Sequence, residues 1–183
     1  MSYLDDLALF PLLRDQGQAS WSRYVEHDFV ARLADGSLPE AAFRHYLGQD
    51  YLFLIHFARA YALAASKADT LSEIRVAAAG MSAIVDTEMA LHVDYCAGWG
   101  LDEAAMEALP EASATLAYTR YVLAQGGQGD LLDLYVALAP CVIGYGEIGA
   151  RLAVDPDTRL EGTRYASWIA MYAGAEYQRV ARA

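Results

Sequence analysis

The chain has almost no cysteine, little positive charge and no unbroken apolar run of bilayer length, and each shortage removes a class of function. Its two cysteines, Cys96 and Cys141, are far apart and form neither a disulfide framework nor a zinc-ligand spacing. Lysine and arginine total 13 against 24 acids, a net charge of −11, with no basic cluster to make a nucleic-acid footprint. The longest apolar stretches are broken by Asp, Arg, Glu or Gly short of the roughly 20 residues a membrane span needs. The opening MSYLDDLALF carries acids where a secretory signal carries positive charge. These features point to the cytoplasm, with no membrane and no nucleic-acid partner. A chain of 183 residues is expected to form one domain over 1–183, burying roughly 70% of its unfolded surface around a single core.

What remains reads as helix throughout; no alternating strand pattern competes. A first helix runs from Leu4 to about Arg14, and one or two more cover Ser20 to Ala34, stopped by Asp35-Gly36. Ser37 is placed to cap a long helix with Pro39 near its first position, where proline is tolerated. Asp69 or Thr70 caps the next, to about Ala97, whose Ile74, Ala77, Ala78, Met81, Ile84, Val85, Met89 and Leu91 follow a 3.6-residue period. A short helix covers Asp102 to Leu109. Ser113 caps one ending near Gln125 at the glycines that follow, Asp130 caps one to about Val154, and a last helix starts at Thr158.

Three features stand out on these rods. On the long helix, Asp50 shares its face with Phe43, Tyr46, Leu47, Phe53, Leu54, Phe57 and Tyr61. A carboxylate stripped of water there costs several kcal/mol unless something pairs with it, on the order of a lost ion pair. A tyrosine or arginine from another helix is one candidate partner, and a ligand is the other. The second feature is Pro140, which interrupts a helical pattern at a cost of about 3 kcal/mol and turns Cys141 toward the space the bend opens. Cys141 lies on the face of Leu134, Ala137, Leu138, Tyr145 and Ile148, while Cys96 reads as packing. Third, the chain has 13 tyrosines, and Tyr118, Tyr121, Tyr145, Tyr165 and Tyr172 fall on apolar faces, where phenols line wet pockets or clamp flat rings. An interior acid, an interior thiol and these rings together point to a pocket for a planar nitrogen heterocycle.

The stretches DGSLP, FRHYLGQDYLFLIHFARAYALAASKA, TEMALH, LAPCVIGYGEIG and WIAMYAGAEY, in this order from about Trp21 to Tyr177, resemble the TenA/Thi-4 family, the thiaminase II proteins. The resemblance implies an all-α, heme-oxygenase-like bundle of about eight helices, assembled as a homotetramer and needing no cofactor or metal. It also implies a hydrolase of thiamine salvage. Such an enzyme converts 4-amino-5-aminomethyl-2-methylpyrimidine to the hydroxymethyl compound, or cleaves thiamine. Carried over by motif, Asp50 binds the pyrimidine, Cys141 is the nucleophile, Phe53 is the ring-contacting aromatic, and Tyr118, Tyr145 and Tyr172 line the pocket. The family's further helix with a catalytic glutamate, in a motif like YE-x-x-FW, has no match before Ala183, and Glu176 does not take its place.

Two other readings have their own residues. Glu88 and His92, one turn apart, with His45, His56 and Glu147, could build a di-iron centre of the bundle type; the alternative for the Glu88–His92 pair is a surface pair or a buried network. A protein that keeps the pyrimidine pocket without turnover would be a carrier or sensor.

Overall fold

The computed structural model describes residues 9–182, and every regular element among them is a helix. We number these α1 Phe10–Gln16, α2 Gln18–Val25, α3 Asp28–Ala34, α4 Glu40–Lys67, α5 Leu71–Ala97, α6 Glu103–Glu107, α7 Ser113–Gln128, α8 Leu131–Val154, α9 Ala166–Ala173 and α10 Ala175–Ala181. The expected start of the first helix at Leu4 lies outside the described residues. The chain falls into two compact units: one is Pro39–Leu138, and the other joins the segment up to Leu38 with the segment from Ala139 onward.

The unit Pro39–Leu138 is organised around α4. Its inward row, Phe43, Leu47, Leu54, Phe57, Ala60 and Ala64, is buried, and α5 and α7 pack along it. Small residues set the approach: the side chain Gly80 lacks would collide with the Tyr61 ring. At the start of α5, Thr70 Oγ1 accepts from Glu73 N while Glu73 receives the Thr70 N–H, a reciprocal box that satisfies two orphan donors. The expected Ser113 cap is not made. Instead Gln49, reaching from α4, accepts from Ala112 N at 2.7 Å and from Thr115 Oγ1 at 2.9 Å. Nor does Gly126 end α7, which runs on to Gln128. Leu134 and Leu63 occupy the space a Gly126 side chain would need, so packing outweighs a propensity cost of about 1 kcal/mol.

In the other unit, Ser37 does not cap α4; its N–H donates to Asp35 Oδ1 at 2.7 Å. The helix expected from Thr158 begins only at Ala166, because Pro156 and the left-handed Gly162 (φ 67°) hold the intervening chain in turns. The core gathers Val30, Leu33, Ile148, Leu152, Tyr165, Trp168, Ile169 and Tyr172. α9 lies directly on α8, and a Cβ on Gly149 would strike the Tyr172 backbone. Gly149→Ala should therefore lower stability by about 1–3 kcal/mol, the usual range for overpacking. A denaturant titration checks this, and an unchanged midpoint would mean the contact is looser than described.

Two helices depart from regular α geometry, α8 at the proline expected to interrupt it and α5 where nothing was expected. α5 widens into a π turn at Ala83–Glu88, and α8 does so at Pro140–Gly144. In their most apolar stretches these helices also reach the length and mean hydropathy of a membrane span, 1.2 and 1.5, although charges still interrupt them, as Glu73, Arg75, Asp86, Glu88 and Asp94 do in α5. The face of α5 that follows the 3.6-residue period is only partly inward. Ala77, Ile84, His92 and Cys96 are buried, whereas Ile74, Met81, Val85 and Leu91 are exposed.

Candidate active site

The long helix α4 carries a carboxylate inward because its alanine- and leucine-rich face leaves no other direction for position 50. Asp50 is 9% exposed. One turn earlier on the same helix, the Tyr46 hydroxyl donates to Asp50 Oδ2 at 3.0 Å. From α5, His92 Nε2 lies 2.8 Å from the same oxygen, and its Nδ1 lies 2.8 Å from the Glu88 carbonyl. The partners are thus a tyrosine of the same helix and a histidine from a neighbour, not a tyrosine or arginine from another helix. Burial on its own pushes the His92 ring down in pKa. The Asp50 hydrogen bond and charge, followed by the Glu88 carbonyl and charge, outweigh it and raise the ring above its ordinary value.

Phe53, one turn beyond Asp50, stacks on Tyr118 with ring centroids 5.7 Å apart and planes 10° from parallel. The Tyr118 hydroxyl donates to the Ala137 carbonyl at 2.9 Å, which fixes the ring's outer end. Asp50, Phe53 and Tyr118 therefore make an acid beside a stacked aromatic pair within one unit.

The remaining three predicted residues lie in the other unit. Cys141 is 8% exposed and sits in the π turn that Pro140 opens. Tyrosine hydroxyls tie this turn down through its carbonyls: Tyr24 donates to the Pro140 carbonyl at 2.9 Å, and Tyr177 to the Cys141 and Val142 carbonyls at 3.2 Å each. Gly144 admits the Tyr24 ring. Tyr145 and Tyr172 meet at 4.8 Å, with Trp168 4.5 Å from Tyr172 and Tyr177 edge-on to it. Tyr172 is fully covered, and Tyr145 is half-buried. Tyr121, expected on an apolar face, is 54% exposed and takes no part.

Sequence reasoning missed several residues at these sites. Tyr46, Tyr24, Trp168, Tyr177 and Gln178 were not singled out as partners, although Trp168 and Tyr172 stand one helical turn apart. Gln178 donates to the Tyr172 carbonyl at 2.7 Å and to the Gly146 carbonyl at 2.9 Å, tying α10 to α8. The metal reading does not assemble. His92 faces Asp50 and the Glu88 carbonyl, His56 pairs with Glu111 at 3.0 Å, and Glu147 accepts from Trp21 at 2.8 Å. Among the described residues no three histidine, cysteine or acidic side chains converge as a ligand set. A cavity of about 350 Å³ opens beside α3 and the end of α8, but none of the predicted residues lines it. Two of its acids serve the backbone: Asp35 accepts from Ser37 N and Asp155 from Asp157 N.

The sequence model of the TENA/THI-4/PQQC family matches residues 14–183. An uncharacterized protein of Haemophilus influenzae is 42% identical over 93% of this chain and 78% of its own length. An aminopyrimidine aminohydrolase of Halalkalibacterium halodurans is 36% identical over 92% of this chain and 75% of its own. Among solved structures, one from Silicibacter sp., described as a TenA family transcription regulator, superposes with a TM-score of 0.89 at 47% identity, covering 94% of this chain and 75% of that one.

Proposed function

The chain belongs to the TENA/THI-4/PQQC family, and from that premise we propose that it is a hydrolase of thiamine salvage, replacing the amino group of an aminomethyl-aminopyrimidine by hydroxyl. The observation that carries the reading is Asp50: a nearly covered carboxylate whose two contacts both fall on Oδ2, next to the Phe53–Tyr118 stack. An aminopyrimidine brings a ring nitrogen and an amino donor, and a desolvated carboxylate pairs strongly with both. With Oδ2 already engaged by His92 and Tyr46, Oδ1 is the oxygen for the ring. Anchoring a protonated ring nitrogen there makes the ring more electrophilic.

Cys141, carried over from the family motif, adds to the ring as thiolate. The electron pair pushed into the ring expels ammonia from the exocyclic methylene, water adds to that methylene, and the thiolate then departs. In this reading half-buried Tyr145 meets the aromatic plane, and the covered Tyr172 backs it through their 4.8 Å ring contact. Cleavage of intact thiamine follows the same steps with the thiazole as leaving group. The reaction needs neither metal nor cofactor. Halalkalibacterium halodurans supplies a relative with the aminopyrimidine aminohydrolase activity in its name. A nucleic-acid role of the kind named for the Silicibacter protein finds no support in a net charge of −11.

We also place the protein in the cytoplasm as a homotetramer. Two reduced cysteines fit a reducing compartment, and the apolar outer face of α5, with Leu71, Ile74, Val76, Met81, Val85 and Leu91, fits a buried subunit contact. Incubation with 4-amino-5-aminomethyl-2-methylpyrimidine should release ammonia and the hydroxymethyl product in equal amounts, read by chromatography. Absence of both products defeats the proposal, and a monomeric mass by sedimentation of the same preparation defeats its tetrameric part.

A further inference from the structure

His92 sits where two acceptors converge. The Glu88 carbonyl, 2.8 Å from Nδ1, can only accept, so Nδ1 carries a hydrogen. A neutral imidazole has a single N–H, which would leave the Nε2 lone pair facing the lone pairs of Asp50 Oδ2 at 2.8 Å. One more proton is required, on the ring or on the acid. Tyr46 decides between them: its hydroxyl also donates to Oδ2, and an oxygen receiving two donors is best matched by a carboxylate. The ring is therefore the imidazolium. The titratable groups that face it are Asp50 and Tyr46 from α4, the helix packed against it, and Glu88 from its own helix.

We propose that His92 is a positioning residue of the Asp50 site: as an imidazolium clamped between the Glu88 carbonyl and Asp50, it holds the carboxylate turned so that Oδ1 meets the pyrimidine. The proposal rests on the hydrolase reading for its substrate, but not for its protonation state. When the ring loses its second proton it can hold the Glu88 carbonyl or Asp50, not both. A histidine raised by its partners delivers its full contribution below its ordinary pKa and loses it as the pH climbs through the raised value. Substrate KM should accordingly rise on the alkaline side, with kcat changing far less.

Two measurements test this. Imidazole nitrogen NMR of the unliganded wild type, with His92→Gln used to assign the signal, should show His92 with both nitrogens protonated at neutral pH. A neutral ring overturns the proposal outright. In steady-state assays His92→Leu should raise KM about 10- to 100-fold, the expected loss for a hydrogen bond to a charged group. His92→Gln, whose amide donates without titrating, should recover most of that loss and flatten the alkaline rise in KM. A His92→Gln profile that keeps the wild-type rise overturns the positioning role. A wild type that turns over no aminopyrimidine defeats the hydrolase reading instead, and the proton count on the ring still decides the state of His92.

Discussion

Cys141→Ser should cut turnover of the aminomethyl pyrimidine by about a thousandfold or more while leaving its affinity within about threefold. Serine matches the thiol in shape, so the substitution isolates nucleophilicity. A hydroxyl with no base to activate it is a far weaker nucleophile than a thiolate. The surroundings make the experiment clean. The π turn is tied down through its carbonyls, by Tyr24 on Pro140 and by Tyr177 on Cys141 and Val142, and those bonds survive a change at the side chain. Rapid-quench kinetics and calorimetric binding separate the two quantities. Full turnover by the serine variant would remove Cys141 from the chemistry.

The second large effect concerns stability. Asp50→Leu should destabilise the protein by about 3–5 kcal/mol at neutral pH, because it strands a buried cation without its anion. In a chain of this size that is a fall in Tm of about 6–20 °C. Asp50→Leu combined with His92→Leu should recover most of the loss, since a buried pair replaced as a whole by apolar groups is close to neutral. The coupling in this double-mutant cycle measures the pair directly. The pH dependence carries a sign as well. Once Asp50 is gone, burial acts against only the Glu88 carbonyl and charge, so the ring sheds its second proton more readily as the pH rises. The deficit of the single variant should then shrink toward alkaline pH, while the wild type loses part of its own margin through the raised His92 value. A double variant no more stable than Asp50→Leu alone would show that the two residues do not act as a pair.

Periodicity made α4 and the inward direction of Asp50 readable, because seven residues on one face share the same preference for the interior. A cap at Asp69 or Thr70 was readable for the same local reason, and the structure takes Thr70 and adds Glu73, three residues on, as its reciprocal partner. Asp50's pairing with His92 was not readable, because the two are joined only by the packing of α5 on α4. Sequence showed His92 as a possible metal ligand and left its true neighbour open. The α7 cap failed likewise, since Gln49 arrives from another helix and displaces the local serine. On α5 the pattern located the apolar residues but could not say which of them a neighbour covers, and α4 covers only one row. The tyrosine load was read as ring-clamping, yet the hydroxyls of Tyr24, Tyr118 and Tyr177 all go to backbone carbonyls of α8. Those carbonyls lie in or just before the π turn of α8, and the tyrosines that reach them come from distant parts of the chain.

The helix that carries His92 has two sides. Its inner row meets Asp50, while Leu71, Val76, Val85 and Leu91 stay exposed. The Glu88 carbonyl that holds His92 Nδ1 is the last of the π turn Ala83–Glu88, so the widening of the helix and the aim of the imidazole are one feature.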